Sequence, residues 1–280
     1  MNDRGESEIT PPSDLLVVAR TVMLDALAAL ADHREAVVVI GAQAVYLRTS
    51  TAPVALAEAT KDSDLAIDPR MLGEDPRVEV AMRSAGFEPN PDDGQPGSWV
   101  SRLGVPVDLM VPDALAGTGG RRGARVPPHD RRAMRRARGL EAAVVDHSIE
   151  EVRALDPSDT RRFDVRVAGP AALLVAKIHK LSERIDTPHR LNDKDAHDMY
   201  RILRAIETGE LVDGFERLAA DEVSAEVTAE ALSQIQDLLA AGPDATVSMM
   251  AGRAEEGIGE PETVSVATAI LAQDLLRALQ

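Results

Sequence analysis

The sequence predicts an α+β protein: a mixed-sheet domain with an N-terminal helix at residues 1–168, then a helical domain at 169–280. Three observations carry this. Short β-branched or alternating runs punctuate the first part and read as strands: AVVVI at 36–40, SDLAID at 63–68 and VPVDLMV at 105–111. From Pro170 onward the apolar spacing turns helical and stays so. The chain has 280 residues, 44% hydrophobic and 28% charged, enough for a sizeable core and for two packed lobes.

The elements follow in order. Pro11 and Pro12 lead into Ser13, a capping residue, and the apolar positions from Asp14 to about Asp32 have helical spacing. Ala36–Ile40 is a buried strand that ends at Gly41, and AQAVYLRTS after it reads as a short helix. Residues 51–60 form a small-residue loop, 63–68 a strand, and 76–86 a helix closed by Gly86. The turn-rich NPDDGQPG at 90–97 precedes two short strands around Gly104. EAAVVDHS, VRALD and RRFDVRVAG then read as strand and hairpin pieces. PAALLVAKIHKLSERI opens the helical part with Pro at its start, and further helices are expected at 193–206, 211–219, 222–240 and 264–279. AAGPDATVSMMAGRAEEGIGEPET, between the last two, reads as a mobile loop.

Composition excludes several classes. No cysteine is present, so disulfides, thiolate zinc sites, iron–sulfur clusters and a cysteine nucleophile are ruled out. Aromatics are only 2%, too few for a base-stacking platform. No basic-then-apolar leader and no run of 18 apolar residues occurs, so a cytoplasmic protein without a membrane role is expected. The net charge of −16 argues against general nucleic-acid affinity, but the charge is uneven. Residues 205–280 carry 15 acids against three arginines, whereas 121–138 carry eight arginines against one acid. That run is either a solvated loop or a phosphate-binding patch; Arg131, Arg132, Arg135 and Arg136 are its candidate acceptor-binding residues. Only four basic residues are lysines: Lys61, Lys177, Lys180 and Lys194.

The chemistry lies in three features in sequence: a strand ending in Gly41 before a helix, then Lys61-Asp62-Ser63-Asp64, then Asp108 inside the apolar Val107–Met110 strand. Residues two apart on a strand project to one face, so Asp62 and Asp64 can reach one hard cation. Asp108, costly to bury alone, completes a three-carboxylate set for Mg²⁺ or Mn²⁺. Gly41 allows close backbone approach, and the helix behind it offers free N–H groups to phosphate. Such a site suits phosphoryl or nucleotidyl transfer. A D-x-D pair alone is commonly two loop acids; the features on either side of it change the reading. Lys177, Lys180 and Arg184 share one helix face, which is either an ordinary wet basic face or a triphosphate clamp. Asp195 and Asp198 share another, explained equally well by local ion pairs. His197-Asp198 does not extend to a full HD-type phosphohydrolase set.

The order Ile40-Gly41-Ala42, Asp62-Ser63-Asp64, Asp108 resembles the DNA polymerase β-like nucleotidyltransferase superfamily. TKDSDL at 60–65, VAKIHKLSER at 175–184 and LNDKDAHDMYRIL at 191–203 resemble its AbiEii-type branch, toxins of abortive-infection and type IV toxin–antitoxin systems. The resemblance spans about residues 36–205. It implies that Asp62, Asp64 and Asp108 hold the metals and that Asp108 helps deprotonate the acceptor. It also implies that Lys177 neutralises the triphosphate, with Gly41, Ala42, Lys61, Lys180 and one or other of Asp195 and Asp198 around the nucleotide. The implied substrates are an NTP and a hydroxyl acceptor such as a tRNA 3′ end or another RNA, and the implied partner is an antitoxin. Ala42 stands where relatives carry a second Gly or a Ser, and no Lys precedes Gly41. A catalytically silent module that binds a nucleotide or a protein is therefore the alternative.

Overall fold

A computed structural model describes residues 12–50, 62–92, 94–119 and 122–280. The first part builds one mixed eight-stranded sheet. Its strands are β1 (Val37–Ile40), β2 (Ser63–Ile67), β3 (Glu88–Pro89), β4 (Ser98–Val100), β5 (Pro106–Pro112), β6 (Arg135–Ala137), β7 (His147–Arg153) and β8 (Arg162–Ala168). The spatial order is β3-β4-β5-β2-β1-β8-β7, with β6 pairing β5 beyond the reach of β4. β1 is antiparallel to β2 and parallel to β8, and β2 is parallel to β5. The central strands are buried on both faces, which is why VVVI and LMV read as continuous apolar runs.

The helices are α1 (Pro12–Ala29), α2 (Gly41–Arg48), α3 (Val78–Ser84), α4 (Pro170–Ser182), α5 (Asp193–Ala205), α6 (Thr208–Ala220), α7 (Ala225–Ile235), α8 (Thr246–Arg253) and α9 (Pro261–Ala278). α1 packs on β2, β5 and β8, and Ser63 Oγ donates to the Ala19 carbonyl at 3.1 Å. α4 starts with Pro at its first turn, and Asn192 caps α5 by accepting from Lys194 N at 3.0 Å. Both helices pack on α2. Arg201 of α5 fastens that stack, donating from Nε to Thr49 Oγ1 at 2.6 Å and from Nη2 to the Thr49 carbonyl at 3.0 Å. One continuous set of buried apolar residues crosses the 168/169 boundary, from Val167 and Ala168 to Ala171, Leu174 and Ile178.

The α+β class and the strand-to-helix order match expectation, and four local readings need correction. EAAVVDHS is a series of turns up to Asp146, and the strand begins at His147. VRALD is strand only to Arg153. The expected helix at 222–240 is α7 followed by one wide π turn at Gln236–Ala240. The expected mobile loop contains α8, whose Val247, Met250 and Ala251 are buried where it packs on α5 and α9. Burial of that apolar face overrides the Gly and Pro residues around it. Lys61 and the 51–60 loop lie outside the described residues.

Candidate active site

The site forms at the ends of three adjacent strands. Ile40 of β1 pairs with Asp64 of β2, and Asp64 pairs with Asp108 of β5. Neighbouring strands run roughly 4.8 Å apart, and in-register residues of a parallel pair project to the same face. Asp64 and Asp108 are therefore side by side, and Asp62 is exposed just ahead of β2. Burial, then the charges of Asp62 and Asp108, push the Asp64 carboxyl up to about 7, with Lys180 and Arg135 pulling the other way.

Gly41 makes this packing possible. It has φ +66, the left-handed region that favours glycine. A Cβ there would run into the Asp64 carboxylate and lie 2.9 Å from Asp64 Cβ. The first turn of α2 therefore abuts Asp64. Ala42 is buried and does not line the cleft, so what it can offer a nucleotide is a backbone N–H.

A cleft of about 440 Å³ opens in front of Gly41 and Asp64, with α4 as its far wall. Eight Lys and Arg side chains line it against three carboxylates, Asp64, Asp113 and Glu183. Its apolar floor includes Ile40, Met110, Leu140 and Leu173. Arg184, expected on the basic face with Lys177 and Lys180, belongs to the lining; Arg122, Arg138 and Arg190 do too and were not singled out from the sequence, where only the arginine-rich run hinted at the first two.

Lys177 and Lys180 are both on the cleft wall, but the face is not simply wet. Lys177 is 6% exposed; its Nζ donates to Asp195 Oδ1 at 2.7 Å and Asp198 Oδ2 at 2.6 Å. Lys180 Nζ lies 2.8 Å from Asp195 Oδ2. Burial alone would lower the Lys177 pKa; the two carboxylates outweigh it and hold the ammonium well above the usual lysine range. Burial would likewise raise Asp195, yet Lys177 and Lys180 hold it well below the usual carboxylate range. Neither Asp195 nor Asp198 lines the cleft. They lie behind Lys177 and fix it. Lys194 is half-buried nearby; burial pushes its ammonium down, with Asp198 and Asp62 opposing.

The arginine run divides. Arg131 and Arg132 are exposed and border a separate depression of about 520 Å³ together with Arg122 and Arg125. Arg135 and Arg136, expected beside the acceptor, line the cleft and each also meets a carboxylate of the protein. Arg135 Nη2 sits 2.8 Å from Asp108 Oδ2, and Arg136 Nε donates to Asp113 Oδ1 at 2.6 Å. The reason is β6: its pairing with β5 carries both guanidinium groups to the strand ends. His197 pairs with Glu255 at 2.7 Å and His179 with the Val227 carbonyl at 2.8 Å, packing roles rather than an HD-type set.

Oxygen donors on adjacent strand ends are the right chemistry for a hard divalent cation. Among the described residues, however, no three His, Asp, Glu or Cys side chains already converge as a metal needs. Asp108 faces Arg135, so metal binding there requires side-chain rearrangement.

No family model matches the chain, and no curated protein does. Two solved structures from Helicobacter pylori are similar over most of their length. One, provisionally described as a nucleotidyltransferase, is 11% identical with a TM-score of 0.35 over 94% of this chain and 96% of its own. The other, JHP933, is 12% identical with a TM-score of 0.29 over 96% and 95%. Among the described residues, no helix is long and apolar enough to cross a membrane.

Proposed function

We propose that the protein is an AbiEii-type nucleotidyltransferase that moves a nucleotide from an NTP to a hydroxyl of an RNA, such as a tRNA 3′ end, and is held in check by an antitoxin. The observation that carries the reading is the in-register Asp64–Asp108 pair, of which Asp64 packs against Gly41 at the start of α2 and lines a cationic cleft. Asp62, Asp64 and Asp108 would hold Mg²⁺ or Mn²⁺. The ion would supply charge neutralisation at the transferring phosphoryl group. Gly41 and the first turn of α2 approach the phosphates by backbone N–H groups. Lys177, fixed by Asp195 and Asp198, presents a permanently charged ammonium to the cleft, and Lys180 adds a second. The acceptor oxygen bonds to the α-phosphorus, the bond to pyrophosphate breaks, and the acceptor proton passes to the carboxylate set. Arg131 and Arg132 are left for acceptor phosphates.

The test is incubation with each labelled NTP, Mg²⁺ and total RNA. Label should enter RNA with wild type and be lost in Asp64→Asn and Asp108→Asn. One observation favours the second reading, a silent nucleotide- or protein-binding module: Asp108 already has a guanidinium partner. Nucleotide binding without transfer, unchanged in Asp108→Asn, would establish that module instead.

A further inference from the structure

Asp108 is in contact with a cation before any metal arrives. Arg135 stands opposite Met110 across β5 and β6, and Asp108 lies two residues before Met110, so both project to the same face. The guanidinium lies along that face, with Nη2 at 2.9 Å from Met110 Sδ and 2.8 Å from Asp108 Oδ2. Both partners keep solvent contact, 22% for Arg135 and 18% for Asp108. The pair is therefore anchored by backbone but not sealed. Arg135 also lines the cleft, where its long stem gives the guanidinium somewhere else to go.

We propose that Arg135 is an exchangeable counter-ion: it holds Asp108 in the metal-free protein, yields it to a divalent cation, and turns into the cleft to meet the incoming phosphates. This rests on the nucleotidyltransferase reading for what arrives. A guanidinium and a divalent cation repel at contact range, so one carboxylate cannot serve both fully. An arginine that leaves Asp108 for the cleft gains a strong new anionic partner when a phosphate is there, since the cleft's eight Lys and Arg outnumber its three carboxylates. Exchange thus couples metal arrival to nucleotide arrival through one side chain. Arg135 is a positioning residue in this scheme, setting when Asp108 becomes free.

The experiment measures Mn²⁺ binding by electron paramagnetic resonance without nucleotide, so it does not depend on turnover. Arg135→Gln is compared with wild type and with Arg184→Gln. Arg184 lines the same cleft and donates to the Arg190 carbonyl at 3.4 Å, so its loss removes equal charge without touching Asp108. Arg135→Gln should tighten Mn²⁺ roughly five- to tenfold, the gain expected when a competing bound state is removed, and Arg184→Gln by less than about twofold. Arg135→Met fills the space beside Met110 without charge and should behave like Arg135→Gln, which keeps the test valid if the Gln variant does not fold. No tightening, or equal tightening by Arg184→Gln, overturns the exchange and leaves the transfer assay to judge the enzyme. Mn²⁺ binding that is absent in every variant, or unchanged in Asp64→Asn, overturns the metal site and the exchange together.

Discussion

Replacing Lys177 by Met should damage the fold, not merely the chemistry. Among the described residues, the Lys177 ammonium is the cation hydrogen-bonded to Asp198, at 2.6 Å, and Asp198 is 2% exposed. Asp195 keeps Lys180. Lys177→Met therefore strands one buried carboxylate, and breaking such a pair costs about 3–5 kcal/mol. Unfolding entropy of about 2 cal/mol/K per residue over this chain makes that a fall in Tm of roughly 5–9 °C. Lys177→Met/Asp198→Asn removes the stranded charge and should recover most of the loss, to within about 2 kcal/mol of wild type. Urea or thermal unfolding followed by circular dichroism reads both. The pH dependence has two limbs. Asp195, depressed in the fold, contributes stability above its ordinary value and loses it as pH falls through the folded one. Lys177, raised in the fold, contributes below its ordinary value and loses it as pH rises through the folded one. The cluster is thus fully stabilising from about pH 4 to pH 10. A Lys177→Met protein melting within about 2 °C of wild type, or a double mutant less stable than the single, would refute this account.

Three further outcomes are expected. Asp64 is an acid with its folded pKa raised to about 7, so the folded state holds its proton more tightly and metal-free stability falls as pH rises from about 4 to 7. Asp64→Asn should raise the metal-free Tm more at pH 8 than at pH 5; a lower Tm at pH 8, or an equal gain at both, would contradict it. Gly41→Ala forces a Cβ into Asp64 at a φ of +66, so it should cost more than the ~1 kcal/mol of the backbone alone and abolish transfer. Full activity in that variant would mean α2 can retreat from Asp64. Arg131→Ala/Arg132→Ala should reduce the log–log salt slope of RNA binding by roughly 0.7–0.9 per lost phosphate contact. An unchanged slope would make this a solvated loop.

Those parts of the site that local sequence encodes could be read from it. A β-branched run stopped by glycine announced β1 and the turn into α2, and an acid isolated among Val, Leu and Met announced Asp108. What could not be read was set by pairing at a distance. β6 is three residues long and has no alternation, so nothing local marks it as a strand. Its place beside β5 alone brings Arg135 to Asp108. Lys177 sits at a helix position that spacing assigns to the basic face, and its partners come from α5, 18 and 21 residues away. α8 was hidden because Gly and Pro flank a short segment whose helix is stabilised by tertiary packing.

The same pairings resolve the tension between a net charge of −16 and a cleft built for an anion. At physiological salt, charges more than about 8 Å apart are largely screened, so the acidic residues of 205–280 need not repel a ligand already at the cleft. Inside it, many of the cations are already committed. Arg138 is bound by Glu226 and Glu230, Arg136 by Asp113, Arg135 by Asp108 and Lys177 by Asp195 and Asp198. Eight like charges around 440 Å³ would destabilise the fold if left uncompensated. The carboxylates behind them remove that cost and hold each head group in place, so an incoming phosphate meets donors that are ordered before it arrives. Of these four, only Arg135 draws its counter-charge from the carboxylates proposed to bind metal. It is therefore the pairing that metal binding must disturb, whereas Lys177 can keep both its aspartates throughout.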